Sequence, residues 1–399
     1  MLEGLTRIRW DELEHAYGSA EDVPDHLIAL RSPDPDVREK ARWHLYGNIF
    51  HQGTRYEATA YAVPFLLELL ADPATPERSA ILELLTSLAI GYDETWLPEG
   101  FPIASYRQRA AGGELLLGAA PELDDDEDNE GRYTYYGSLS DEDQQRLFAY
   151  IELAVHDAVR VGAPLFRALL GDDATEMRAA AAYALGWFGE DGPGSVPALA
   201  GAAGDPEAEV AATALVALGL VGTGNADAAR TVQAALADPR DVVRWGAAVA
   251  AARLHGPAAD PQVAAELLSW TGGQSDRRAG VPFHEGDLAG YAGLALRQLG
   301  DAQADSAFDA LLARIPAVSG PEALPVVNEA LRWAFPAGAL AGGTPVEQLD
   351  DRQRRLLRVL ADSPGTWRWG EHGTFANFTM MLGAYGLPRD VEAMRGYLA

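Results

Sequence analysis

The stretch APLFRALLGDDATEMRAAAAYALGWFG, residues 163–189, returns twice in altered form further along the chain. The second copy is VPALAGAAGDPEAEVAATALVALGLVG, residues 196–222, and the third is VQAALADPRDVVRWGAAVAAARLHG, residues 232–256. Each copy carries an aspartate at the same place, and these lie 33 residues apart: Asp172, Asp205 and Asp238. A fixed period of this size is typical of stacked helical repeats, in which each unit buries its apolar faces against its neighbours. The chain is therefore predicted to be a repeat protein.

Each copy predicts two helices joined by a short turn. The first helix is short and apolar and begins near a proline, such as Pro164 or Pro197, which is tolerated because a first-turn N–H has no helical partner. The turn aspartate is expected to cap the second helix, since its carboxylate accepts free N–H groups and suits the positive helix end. Alanines in the second helix would let neighbouring helices approach closely.

This combination of a proline-led helix, an aspartate turn and an alanine-rich second helix resembles the HEAT-repeat family, in particular the bacterial HEAT-like repeats of the phycobilisome-lyase type. The resemblance implies an all-α fold, a right-handed α-α superhelix (a HEAT-like solenoid) of about eight helix pairs. It also implies a ladder between turn aspartates and second-helix arginines, placed by the motif on Asp34 with Arg38, Asp72 with Arg78, Asp172 with Arg178, and Asp238 with Arg244. Ala211 stands at the arginine position of the middle copy, so the ladder is expected to break there.

The whole chain, residues 1–399, is predicted to be one such solenoid. An acidic run at 122–130 is too charged to fold by itself, because like charges repel and little apolar surface is available. The predicted segments are a helical N-terminal cap at 1–22, repeats one and two at 23–90, an irregular acidic insertion at 91–139, a helix with repeats three to five at 140–256, divergent repeats at 257–377, and a C-terminal cap at 378–399.

Composition narrows the classes of function. The chain has no cysteine, which excludes disulfides, thiolate chemistry and cysteine zinc sites. Its net charge of −28 argues against a sequence-independent grip on nucleic acid or on an anionic membrane, since both need a basic surface. A basic partner is favoured instead. With no long apolar run and no signal-peptide core at the start, a cytoplasmic bacterial protein is the simplest expectation.

No catalytic, metal or cofactor site is predicted. The eight histidines are scattered in the sequence and form no HExxH motif. Glu152 and His156 share a helix face, but such a lone pair is more often a surface feature, and the acidic run lacks the spacing of a calcium loop. Deoxyhypusine hydroxylases resemble this architecture but hold iron with several His-Glu pairs, whereas this chain has only His284-Glu285. HEAT-like DNA glycosylases need a basic face, and nothing beyond the repeat supports a bilin.

The strongest binding candidates are large residues at positions that the repeat pattern leaves free. In HEAT-like units the second helices line the concave side, and alignment places four aromatic residues and one arginine at outward positions: Trp43, Tyr183, Trp187, Trp245 and Arg253. Large aromatic side chains on a groove are common anchors of binding hot spots. The open alternative is that they pack onto a neighbouring helix or under the 91–139 insertion.

A second polar cluster is local in sequence and comprises His51, Arg55, Tyr56 and Glu57. The simpler interpretation is a loop followed by a capping box in which Thr54 and Glu57 satisfy the helix end. The functional alternative is a metal- or small-molecule-dependent enzyme, lyase-like or hydrolase-like, with a pocket between the 91–139 insertion and the groove.

The predicted function is therefore a non-catalytic scaffold that binds a protein or peptide partner on its concave face, and neither nucleic acid nor membrane. The enzyme with a pocket at the insertion is the alternative. A third class, nucleic-acid binding, is conceivable only through a basic patch of Arg352, Arg354, Arg355 and Arg358, and that patch is equally explained as a helix face paired with nearby acids.

Overall fold

The computed structural model describes residues 1–123, 130–273 and 280–399. These residues are helical almost throughout, and they fall into two compact units, Met1–Ala202 and Ala203–Ala399. The prediction of an all-α fold built from consecutive helix pairs is confirmed. Most of the acidic run at 122–130 lies outside the described residues.

The helices of the first unit are α1 Val23–Ala29, α2 Pro35–Asn48, α3 Glu57–Ala71, α4 Arg78–Ile90, α5 Ile103–Arg109, α6 Gly113–Leu117, α7 Glu130–Ser138, α8 Asp141–Arg160, α9 Ala163–Leu169, α10 Thr175–Leu185 and α11 Gly192–Ala202. Three repeat pairs are formed by α1 with α2, α3 with α4, and α9 with α10, and α4 packs against α10. The longer helix α8 packs on α3 and α4, and its N-cap is Ser140, where the sequence predicts a helix to start.

The helices of the second unit are α12 Ala208–Val221, α13 Ala226–Ala235, α14 Asp241–His255, α15 Pro261–Thr271, α16 Leu288–Leu296, α17 Ala304–Arg314, α18 Ala323–Ala334, α19 Asp351–Asp362, α20 Ala376–Ala384 and α21 Val391–Leu398. The second helices of successive repeats pack one on the next, in the order α12, α14, α16, α18 and α20. A core of aliphatic and aromatic side chains fills the C-terminal part of this unit, around Leu331, Leu356 and Trp367.

The predicted helix in the N-terminal cap is wrong. The segment forms short 3₁₀ turns and a hairpin, in which strand β1 (Glu14–His15) pairs antiparallel with strand β2 (Gly18–Ser19). Gly18 has a φ of 108°, a left-handed conformation that favours glycine. The amide of Ala16 donates to the carbonyl of Asn48 at 2.9 Å. The hairpin is thereby fixed beside the C-terminal end of α2.

The turn aspartates have two different structural roles: one caps a helix, and the others close a turn. Asp34 is the N-cap of α2 and accepts the amide of Asp36 at 3.0 Å, as predicted. In the three central repeats the aspartate instead closes the turn, because it accepts the amide two residues ahead while the helix begins later. These bonds join Ala174 to Asp172 at 3.0 Å, Glu207 to Asp205 at 2.9 Å and Arg240 to Asp238 at 2.9 Å.

The repeat arginines bind backbone carbonyls of their own turns. Nη1 of Arg178 donates to the carbonyls of Asp172 and Asp173 at 3.1 and 3.2 Å. Nη1 of Arg244 does the same with Asp238 and Pro239, at 2.9 and 3.2 Å. Each arginine thus satisfies two carbonyl groups of the turn that precedes its own helix.

The middle copy keeps this contact despite Ala211. Nη1 of Arg240, which comes from the following turn, donates to the carbonyls of Asp205 and Pro206 at 2.8 and 3.2 Å. Between repeats two and three, Arg78 lies 3.3 Å from a carboxylate oxygen of Asp172. The contact between an arginine and the turn carbonyls is therefore present in the copy where the sequence predicts a break.

The described parts of the 91–139 insertion are helical, in contrast to the predicted irregular segment. They contain α5, α6 and α7; α5 and α6 pack on α8, and α7 reaches α3. Arg107 of α5 forms a two-bond pair with Asp157 of α8, at 2.8 and 3.0 Å. Arg132 of α7, which is buried, lies 2.8 Å from Glu57 of α3 and 3.3 Å from Glu14 of the hairpin. The insertion is thus part of the folded first unit.

Candidate functional site

A cleft of about 690 Å³ opens in the first unit between the N-terminal hairpin, the start of α1 and the second half of α2. Its volume is in the range of small-molecule and peptide-side-chain sites. The described residues that line it include two carboxylates but no lysine or arginine, so the cleft is anionic at neutral pH. They are His15, Tyr17, Ser19, Glu21, Asp22, Trp43, His44, Tyr46, Gly47, Asn48 and His51.

Asp22 is the centre of the polar network in this cleft. Its carboxylate accepts hydrogen bonds from Nε2 of His15 at 3.0 Å, Nε2 of His26 at 3.2 Å and Nδ2 of Asn48 at 2.6 Å. Burial opposes its ionisation, but the hydrogen bonds and positive charge of the two histidines outweigh burial and lower its pKa. Asp22 therefore stays ionised and orients three donors around itself.

The hairpin fixes the state of His15 and the position of Tyr17. Nδ1 of His15 accepts the amide of Tyr17 at 3.1 Å. In the neutral ring the proton is consequently on Nε2, where it faces Asp22. The Tyr17 side chain is 63% exposed, and its hydroxyl lies 3.2 Å from Nδ1 of His51. The turn thus presents an aromatic ring at the rim of the cleft.

His26 of α1 and His44 of α2 form a parallel stack, with ring centroids 4.5 Å apart and planes 7° from parallel. Trp43 meets His44 edge-on at 5.1 Å. Partial desolvation, followed by the positive charges of His26 and Lys40, lowers the pKa of His44. Two parallel rings cannot aim their in-plane lone pairs at one ion. Across the described parts of the chain no three His, Asp or Glu side chains converge as a metal site.

His51 is held in place by a buried arginine below it. Residues His51–Gly53 form one 3₁₀ turn in which Gln52 has a φ of 51°. Arg55 donates from Nη1 to the carbonyl of Gly53 and lies 3.1 Å from a carboxylate oxygen of Glu152. Because its charged side chain is buried, the pKa of Arg55 is lowered. Arg55 is thus a positioning residue for the turn that carries His51.

The other two members of the predicted cluster also lie outside the cleft. Tyr56 is the N-cap of α3, and its amide donates to Oγ1 of Thr59 at 2.9 Å, so the capping box predicted from Thr54 and Glu57 is wrong by two residues. Glu57 binds Arg132 instead. Burial, with Tyr133 and Glu14 nearby, raises the pKa of Tyr56 to about 12. Of the four clustered residues, His51 alone lines the cleft.

Among the predicted groove residues, Trp43 is the exposed one, at 71%. The expectation that Trp187 lies on an open surface is wrong, since only 2% of it is exposed. Its ring meets Tyr183 edge-on at 5.8 Å, and the Tyr183 hydroxyl is hydrogen-bonded to Asp93 of the insertion. Burial, followed by that carboxylate, raises the pKa of Tyr183 far above its usual value. The alternative, packing under the insertion, describes Tyr183, against which Trp187 packs.

Trp245 is also wrongly expected on an open surface, because it is fully buried. Its Nε1 donates to the carbonyl of Leu288 at 2.9 Å, and its ring meets Tyr291 edge-on at 5.9 Å. Both partners belong to α16, the helix that packs on α14. Arg253, near the end of α14, is partly buried. The contacts of Trp245 are those of a residue that packs one helix on the next.

The remaining sequence candidates are structural. His156 is buried, its Nδ1 lies 3.2 Å from the carbonyl of Ala89, and its ring stacks on Phe101 at 4.6 Å. Burial lowers its pKa to about 4, so it is neutral at pH 7. Glu152, its neighbour on the helix face, pairs with Arg55. His284 and Glu285 lie on one turn with φ of 55° and 51°.

Three of the four arginines of the possible basic patch on α19, Arg352, Arg354 and Arg355, are paired with acids, as the simpler interpretation predicts. Arg355 lies 2.6 Å from Asp309, and Arg352 forms an ion pair with Asp305. Both guanidinium groups also lie over the ring of Phe308, at 5.6 and 5.4 Å. Arg354 lies 3.3 Å from Asp351. This helix face therefore offers little free positive charge.

Sequence reasoning missed most of the cleft. Four of the eight histidines, His15, His26, His44 and His51, gather around it although they are scattered in the sequence. The available signal was the repeat itself, because the two helices of one pair lie side by side and His26 and His44 belong to one pair. The hairpin that supplies His15 left no comparable signal.

Comparison with known families agrees with the helix pairs. Residues 137–219 match the family of HEAT repeats. Over these residues the chain carries HEAT repeats. Among curated proteins, a search for relatives of this repeat chain gave no match. A crystal structure of an engineered protein from the Northeast Structural Genomics Consortium is 17% identical over 95% of both chains, with a TM-score of 0.28. In the part of the chain that the structure describes, no helix has both the length and the apolar character needed to cross a membrane.

Proposed function

We propose that this HEAT-repeat protein is a non-catalytic scaffold that binds a basic peptide segment of a protein partner in the N-terminal cleft. The observation that carries the proposal is the pairing of exposed aromatic rings, Trp43 and Tyr17, with an anionic cleft. HEAT repeats commonly serve protein interactions, which supports a macromolecular partner. Trp43 replaces the buried Trp187 and Trp245 as the anchor of the site.

The chemistry of the rim suits arginine or lysine side chains. Trp and Tyr are enriched at binding hot spots because each offers a large rigid surface with a polar edge. A cation placed over the face of Trp43 would gain about 0.5–2 kcal/mol from the ring quadrupole. Glu21 and Asp22 would supply the opposite charge. Placing aromatic and anionic groups together selects a basic segment over a neutral one.

The chain as a whole favours the same partner. Its net charge of −28 creates a negative field that would steer a basic peptide towards it and repel an acidic one. Such steering acts mainly on the association rate and weakens with salt. Binding is therefore expected to weaken as NaCl is raised from 50 to 300 mM, while the aromatic contribution remains.

Selection from a phage-displayed library of random 12-residue peptides tests the proposal. We expect enrichment of peptides with several lysines or arginines, and a synthetic copy should bind at least about tenfold more weakly to Trp43→Ala/Tyr17→Ala, a loss of about 1.4 kcal/mol. Trp369→Ala is the control, because Trp369 is also exposed but belongs to the second unit. If no basic peptide is enriched, or the double variant binds equally well, the proposal fails.

The enzyme alternative gains no support from the described residues. It places a pocket between the 91–139 insertion and the groove, with His51 and Glu57 as candidate residues. His51 lines the cleft, whereas Glu57 is bound to the buried Arg132 at 2.8 Å. Their different environments separate the two groups that the alternative needs together.

A further inference from the structure

We infer that the histidines around Asp22 make peptide binding in the cleft dependent on pH, so that the site holds a basic peptide at pH 7.5 and releases it near pH 5.5. The inference rests on the proposed function, since it names the regulation of the same site. It is based on the geometry of two imidazoles, His15 and His26, bonded to one carboxylate, with His44 and His51 lining the same cleft.

The charge of the cleft can change sign. At neutral pH its lining carries the carboxylates of Glu21 and Asp22 against no lysine or arginine. His15, His44 and His51 line it as well. His26 stacks on His44 and is hydrogen-bonded to Asp22. Histidine is the side chain whose charge ordinarily changes between pH 5 and 8. Two protonated rings would cancel the carboxylates, and four would reverse the sign.

Protonation of the histidines also competes directly for Asp22. At neutral pH its carboxylate accepts from His15, His26 and Asn48 and still carries a net negative charge. An imidazolium at His26 would form an ion pair with it over the same 3.2 Å bond. The attraction for an incoming guanidinium or ammonium group would then be lost, because Asp22 would already be neutralised.

The stacked pair His26 and His44 is the most sensitive part of this arrangement. Two imidazolium rings 4.5 Å apart repel each other, so the pair takes up its second proton less readily than its first. The charged and polar groups around the pair come from every neighbouring element. On the two helices of the repeat they are Asp22 at the N-cap of α1, Asp25 and His26 on α1, and Lys40, His44 and Tyr46 on α2. The others are His15 and Tyr17 on the hairpin, Glu21 just before α1, His51 on the 3₁₀ turn, and Glu83 and Ser87 on α4 near Tyr46. Lys40 opposes protonation of His44, and Asp22 favours it.

The first arm of the test measures peptide affinity against pH. Fluorescence polarisation with the library-selected basic peptide is recorded from pH 8 to 5.5. Binding that releases one proton weakens up to about tenfold per pH unit below the titration. We expect the wild-type affinity to fall at least about tenfold between pH 7.5 and 5.5. In His26→Gln/His44→Gln the fall should be less than about threefold.

His255→Gln is the matched control, because His255 lies on α14 and does not line the cleft. Its pH profile should follow that of the wild type. A scrambled peptide of the same composition separates general charge effects on the chain from the cleft. Equal affinity at pH 7.5 and 5.5 in the wild type would overturn the inference and leave the proposed function intact.

The second arm needs no peptide. Proton NMR titration of the histidine Cε1–H signals, assigned with His26→Gln and His44→Gln, follows each ring directly. We expect the His44 midpoint to rise when His26 is replaced, since a positive neighbour is removed. If that midpoint does not move, the coupling is absent and the inference is wrong, whatever the peptide does. Failure of the library selection with a coupled pair would instead count against the proposed function.

Discussion

Nη1 of Arg240 lies 2.8 Å from the carbonyl oxygen of Asp205, one repeat earlier in the chain. The same guanidinium pairs with Asp238 at 2.9 Å. The carbonyls that Arg240 binds are equivalent to those that Arg178 and Arg244 bind in their own repeats. In these repeats a guanidinium binds the carbonyls of the turn between the two helices, and in the middle copy the chain supplies it from a different sequence position.

Replacing Arg240 with alanine should therefore destabilise the repeat that lacks its own arginine. We expect a loss of about 1–2 kcal/mol in the free energy of unfolding, the usual cost of carbonyl groups left without a charged donor. Urea unfolding followed by circular dichroism measures it. Ala211→Arg in the same background should recover part of the loss. The control is Arg230→Ala, which removes an exposed arginine paired with Asp227. If Arg240→Ala costs no more than this control, Arg240 does not replace the arginine that is missing at position 211.

Arg132 compensates two carboxylates in the fold, and its removal should be costly. Replacing it with methionine leaves the buried Glu14 and the half-buried Glu57 without a cation, at an expected cost of about 3–5 kcal/mol at pH 7.5. Thermal unfolding of the variant and the wild type at pH 7.5 measures it. Tyr133→Ala, on the same helix but exposed, is the control.

The buried Trp245 and the exposed Trp43 should respond differently to truncation. Trp245→Ala removes a fully buried ring with a hydrogen bond and should cost about 3–5 kcal/mol. Trp43→Ala, at 71% exposure, should cost less than about 0.5 kcal/mol while abolishing most peptide binding. Chemical denaturation and polarisation measurements on both variants would show this separation. Similar stability losses would contradict the assignment of Trp43 to the site.

Asp22→Asn tests the centre of the cleft. The amide can accept fewer hydrogen bonds than the carboxylate, so we expect a loss of about 1–2 kcal/mol at pH 7. The folded state lowers the pKa of Asp22. Its contribution is therefore complete above the unfolded value near 3.9 and is lost as the pH falls through the lower folded value. Melting curves from pH 7 to 3 should show the gap to wild type closing below about pH 4. Asp25→Asn, on an exposed residue of the same helix, should show no such gap.

The sequence predicted the repeats because their determinants are local. The spacing of Asp172, Asp205 and Asp238, with a small-residue second helix after each, is sufficient to predict helix pairs. Ser140 likewise identified the start of α8. The N-terminal hairpin was missed because the helical spacing of its residues did not reveal the left-handed Gly18 that reverses the chain.

The site was less predictable because it depends on distant contacts. The repeat pattern showed which residues of a second helix are free of the stack, but it could not show what covers them. Tyr183 contacts Asp93 of the insertion, Trp187 packs edge-on against Tyr183, and Trp245 bonds to α16. Trp43, by the same pattern, remains exposed. His26 and His44 could be paired only after both helices of the first repeat were placed.

The helices of the insertion bond to parts of the first unit that are remote in the repeat order. Arg132 joins α7 to the hairpin and to α3, Arg107 joins α5 to α8, and Asp93 reaches Tyr183 on α10. An array with contacts only between neighbours frays inwards from its end, one unit after another. These cross-links should instead make residues 1–202 open together, so that their core amide protons exchange with solvent at one common rate.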